Sequence, residues 1–95
     1  MPAIGVITFE LRMDEAHSLK DKRNYVKSLK DRLRAKFNVA VSEIDHQELW
    51  QRGVVACVTV APDQAFAEQV LQSVEREAAL LLGPVLVGAT VEWLA

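Results

Sequence analysis

The side chains with the most chemistry to offer are cations at helical spacing. Lys20, Arg23, Lys27, Lys30 and Arg34 lie three, four, three and four residues apart. At about 100° per residue this spacing stacks them in one stripe along a helix, with Lys22 and Arg32 flanking it. The stretch from Lys20 to Lys36 holds eight of the chain's eleven Lys and Arg residues and only two acids, Asp21 and Asp31. That stretch is six charges positive and the remainder eight negative, so the net charge of −2 conceals a strongly polar molecule. A helix shaped only for solubility mixes signs at i,i+4, where each opposite pair stabilises it by about 0.2–0.5 kcal/mol. Like charges on one stripe cost stability, and an external anion would offset that cost. The chemistry is phosphate binding with little sequence choice. Five such contacts predict a slope of log affinity against log salt of about −3.5 on single strands and about −4.5 on duplex. The competing reading is a solvated face, with Lys stems covering apolar surface and Glu68, Glu75 or Glu77 pairing with the stripe.

A second polar cluster lies in EIDHQELWQR. Asp45, His46, Trp50 and Gln51 read as a connecting loop that could meet a protein partner through Trp50. A metal site does not follow from the spacing, because there is no HExxH and no Cys partner. Asp45 and His46 resemble a base with its orienting carboxylate, but no nucleophile accompanies them. His17 reads as a turn residue. There is no GxGxxG and no P-loop. After Met13 the chain has Asp14 and Glu15, two acids where the acylphosphatases carry a phosphate-cradling arginine loop. No catalytic residue, metal ligand, cofactor or small-molecule site is read, and the expected class is a non-enzymatic binding protein.

The elements that must position these residues follow from periodicity. Ala3 to Met13 alternates as a strand, with Ile7, Phe9, Leu11 and Met13 on one face. Ser18 suits a helix N-cap, and Asp21 reaches back in the manner of a capping box. The helix continues to about Lys36, with Leu19, Val26, Leu29, Leu33 and Phe37 as its apolar stripe. Val39 to Ile44 reads as a second strand. Gly53 opens a third, Val54 to Ala61, apolar at nearly every position and so expected to be covered on both faces. After Pro62-Asp63 a second helix buries Phe66, Ala67, Val70, Leu71, Val74, Ala78 and Leu81, and Gly83-Pro84 stops it. Val85 to Leu94 is the fourth strand, with Val87, Ala89, Val91 and Trp93 on one face. The order β-α-β-β-α-β predicts an α+β, ferredoxin-like fold: a four-stranded antiparallel sheet with two helices on one face.

Ninety-five residues, 51% hydrophobic and 25% charged, predict one globular domain spanning 1–95. No apolar run reaches the roughly 18–20 residues of a membrane span. Met1-Pro2-Ala3 does not begin a signal peptide. The lone Cys57, inside an apolar run, reads as a small buried hydrophobe. Together these predict a cytoplasmic location. Many RNA-recognition domains share this topology and stack bases on aromatics of the two central strands. Here the matching positions read as Gly5, Val54, Ala56 and Thr59, so RNA would be held by its backbone and shape. Ile4, Val6, Thr8, Glu10, Arg12, Thr90 and Glu92 are expected on the sheet face away from the helices, a mixed surface suited to a homodimer.

GVITFEL, HSLKDKRNYVKSLKDRLRAKFNVAVSEID and DHQELWQRGVVACVTVAPD together resemble the YlxP-like family of small bacterial proteins of unknown function. The most distinctive part is Ser18-Leu19-Lys20-Asp21-Lys22-Arg23 with Asp45 and Leu49-Trp50-Gln51. The resemblance implies a ferredoxin-like fold. It also implies a gene setting among transcription elongation, translation initiation and ribosome maturation, which favours ribosomal RNA or the ribosome as partner. It implies no catalytic residue.

Overall fold

The computed structural model describes residues 1–95. The alternating first segment forms β1, Ala3–Arg12, whose odd-numbered residues are buried and whose even ones are not. Ser18 caps α1, Leu19–Lys36: its Oγ accepts the Asp21 N–H at 3.1 Å. Asp21 Oδ2 accepts the His17 N–H at 2.9 Å, so the residue before the cap is satisfied as well. β2 is Ala40–Asp45, and β3 is Arg52–Ala61. Asp63 caps α2, Gln64–Leu82, through the Phe66 N–H at 2.8 Å. Gly83, at φ 54°, ends α2 in a conformation that a side chain would disfavour. One 3-10 turn then leads into β4, Leu86–Trp93.

The sheet order is β2-β3-β1-β4, antiparallel throughout. This is the expected ferredoxin-like architecture, and both helices lie on one face. The core joins Ile7, Phe9 and Leu11 of β1 with Val55 and Cys57 of β3, Leu29 and Leu33 of α1, and Leu71, Val74 and Ala78 of α2. Cys57 is wholly buried, and burial pushes its thiol up to about 11. Phe66, expected in the buried stripe, is exposed; Leu82 takes a buried place instead.

β3 is central, as its composition suggests, but this chain covers only one of its faces. Both crossovers put their helices on the same side of the sheet. Val54, Ala56 and Val58 are therefore half-buried and Val60 is exposed. The expected outer face is present: Ile4, Val6, Thr8, Glu10 and Arg12 stand opposite Val60, Val58, Ala56, Val54 and Arg52. Gly5 and Thr59 belong to the other side. They face the helices and are buried, so neither could carry a stacked base. The outer positions of the two central strands are aliphatic, Thr or charged, with no aromatic among them.

Candidate functional site

α1 presents Lys20, Arg23, Lys27 and Arg34 as exposed cations and Lys30 as a half-buried one. Lys20, Arg23, Lys30 and Arg34 form no ion pair within the chain. Lys27 pairs with Asp31 one turn on, at 2.6 Å. Arg34 Nη2 donates to the Val41 carbonyl at 3.1 Å, which leans the guanidinium across to β2. Between α1 and β2 these side chains line a shallow groove of about 410 Å³, formed by Arg23, Val26, Lys27, Lys30, Asp31, Arg34 and Glu43. The positive field there is visible in Asp31. Its carboxyl is held below the ordinary carboxylate value, first by the hydrogen bond from Lys27 and then by the charges of Lys27, Arg34 and Lys30.

Two residues expected beside the stripe do something else. Lys22 is 1% exposed and cannot reach a phosphate. Its ammonium lies 2.7 Å from Glu43 Oε2 of β2, an oxygen with no other partner, and it donates to the His46 carbonyl. Gly53 makes room for this pair: a Cβ there would sit 3.4 Å from both Glu43 Oε2 and Lys22 Cε. Arg32 faces α2, where Glu77 accepts from it at 2.9 Å and from Lys36 at 3.1 Å. Those two hydrogen bonds hold the Glu77 carboxyl below its usual range.

The loop between β2 and β3 is built around His46, at φ 58°. Asp45 Oδ1 accepts the His46 N–H at 2.7 Å, a local contact that holds the turn. The His46 carbonyl accepts from Leu49 N–H at 3.1 Å and from Lys22. Gln51 is a tether rather than a free partner group. Its Nε2 donates to the carbonyls of Asp14 and Ala16, both at 3.2 Å, and its own carbonyl accepts from Met13 N–H at 2.9 Å. Leu49 and Trp50 are 46% and 52% exposed, so Trp50 stands out from the rim instead of packing on it. Nowhere do three His, Cys, Asp or Glu side chains converge as metal ligands would.

One cavity had no signal in the sequence. It holds about 470 Å³ at the end of the sheet, between β1, β3 and the loop, and Glu10, Arg12, Asp14, His46 and Arg52 border it. Its charges come from segments distant in sequence and partly cancel, with Arg12 pairing to Asp14 at 3.2 Å.

A family described as "Protein of unknown function (DUF503)" matches residues 4–80. The chain belongs to this family. Over 71 residues this DUF503 chain is 38% identical to "Uncharacterized protein YlxP" of Bacillus subtilis (strain 168), covering 75% of this chain and 77% of that protein. The YlxP-like resemblance read from the motifs is thereby shown. Solved structures similar to this DUF503 chain include the de novo designed protein Foldit4. It has a TM-score of 0.61 at 14% identity and covers 100% of this chain and 98% of its own. A C-terminal segment of the alpha subunit of aIF2 from Pyrococcus abyssi has a TM-score of 0.55 at 18% identity, covering 97% of this chain and 49% of that one. A dimeric ferredoxin-like protein of unknown function from Thermobifida fusca has a TM-score of 0.52 at 17% identity, covering 97% and 91%. At these identities the likeness concerns the fold alone. No helix is long and apolar enough to cross a membrane.

Proposed function

We propose that this chain is a non-enzymatic RNA-binding protein that grips phosphates along α1, with ribosomal RNA as the favoured partner. One observation carries this reading: Lys20, Arg23, Lys30 and Arg34 are unpaired cations in one row of α1, with Lys27 between them. A row of uncompensated like charges destabilises its own helix and gains from polyanion binding. The groove between α1 and β2 gives the backbone a place to lie. Lys22 and Arg32 are not among the contacts, because both are committed to carboxylates. The outer sheet face lacks aromatics, so recognition rests on backbone and shape rather than on stacked bases.

Anisotropy titrations of labelled ribosomal RNA fragments at several salt concentrations test this. The wild type should bind more weakly as salt rises. A triple variant with Lys20, Lys27 and Lys30 each changed to Gln should lose about 2 units of slope on single strands. Arg76→Gln, on α2, should leave the slope unchanged. Equal, shallow slopes for wild type and a folded triple variant would return α1 to the status of a solvated face.

A second reading rests on the exposed pair Leu49 and Trp50, beside an open groove of about 590 Å³ running from Glu48 to Arg52. That loop suits a protein partner anchored by Trp50. Binding through it would be nearly insensitive to salt and would be lost in Trp50→Ala.

A further inference from the structure

We propose that the outer face of the sheet is the interface of a homodimer, two copies packing face to face into an eight-stranded sandwich. The face is aliphatic at its centre. Ile4, Val6 and Thr8 of β1 stand opposite Val60, Val58 and Ala56 of β3, and Val54 follows opposite Glu10. β3 is apolar on both parities, the pattern of a strand covered on both sides, yet the helices cover one side only. Charged groups keep to the margins: Glu10, Arg12 and Arg52 at one end, and Glu92 on the edge strand. An apolar centre with a polar rim is the ordinary anatomy of a protein interface.

Size, charge and symmetry commit the occupant to a second copy. Two strands of 10 residues flanked by strands of 6 and 8 cover on the order of 540 Å² in flat projection. Accessible area exceeds projection, so the face approaches the roughly 800 Å² per partner of a stable complex. A polyanion finds no cation at the centre. The polar groups across the middle of the face are short hydroxyls, those of Thr8, Thr90 and Ser42, with no charge among them. A second copy needs no charge there, because β-branched side chains on two aligned sheets interdigitate. A two-fold axis running across the strands sets the two sheets antiparallel. The Arg12 and Arg52 end of one copy then meets the uncharged Ile4 and Val60 end of the other, so the arginines of the two copies do not face each other.

Sedimentation velocity over a wide concentration range tests the interface. The wild type should be a dimer. Val58→Lys places an unpaired charge at the centre of the face and should weaken self-association at least about 100-fold. Val60→Lys alters a side chain already 59% exposed in the single chain, so folding survives it even if Val58→Lys fails to fold. It should weaken the dimer in the same direction, while Val58→Thr should not. The triple Gln variant of α1 should still dimerise, which separates this proposal from RNA binding. A wild type that stays monomeric at every concentration overturns it, as does a dimer that persists in folded Val58→Lys and Val60→Lys proteins.

Discussion

Lys22 shows how a single residue can belong to two patterns at once. By charge it sits within a basic run. By spacing it belongs with Val26, Leu29 and Leu33, four, three and four residues apart, which is the buried stripe of α1. The spacing was legible; the carboxylate that makes burial tolerable was not, because Glu43 comes from the next strand. Removing one member of a buried ion pair leaves the other charge uncompensated, at a cost of about 3–5 kcal/mol. Lys22→Met should therefore destabilise by about 3 kcal/mol, towards the low end because Glu43 keeps 19% of its side chain in water. Adding Glu43→Leu should recover most of that loss. Urea unfolding of the two variants decides it, and a double variant no more stable than the single one would show that the pair does more than neutralise itself. The His46 carbonyl loses its ammonium donor in both, so the left-handed turn of the β2–β3 loop should loosen in both.

At the scale of elements, the helices are joined by charge as well as by core packing. Arg32 and Lys36 of α1 share Glu77 of α2. The Glu77 carboxyl is lowered from 4.5 by those hydrogen bonds. A depressed carboxylate adds stability that is fully present above its unfolded value and lost as pH falls through the folded one. Melting temperature should drop in that acid window, and Glu77→Gln should start lower at neutral pH and decline less across it. Parallel acid limbs for the two proteins would show that the pairs are too solvated to matter. Asp31 works in the same direction within α1 alone. Periodicity and caps made these elements legible. Alternation in β1 marked its buried face, and Ser18, Asp63 and Gly83 marked helix ends to within a residue or two. Coverage was not legible. The apolar run of β3 implied two covered faces, and only chain topology decides that the helices cover just one of them.

For the whole molecule, the two proposals constrain each other. Face-to-face packing buries the outer sheet surface and leaves each helical layer outermost, on opposite sides of the sandwich. The two α1 rows would then be separated by the full thickness of the double sheet. A short RNA duplex could engage only one row, so dimerisation should add no avidity on such a fragment. A long RNA could fold back to meet both, and there linkage raises the effective concentration of the second contact. Val58→Lys should therefore bind short fragments as tightly as the wild type, with one fragment per chain in each case. On long RNA it should lose affinity and should no longer bridge two molecules. Titrations of short and long RNA with both proteins, at fixed salt, read this directly. If Val58→Lys lost affinity for the short fragment too, the two basic rows would have to act on one site. The copies would then join through a surface that sets the α1 helices side by side, and the aliphatic face would have to meet something else.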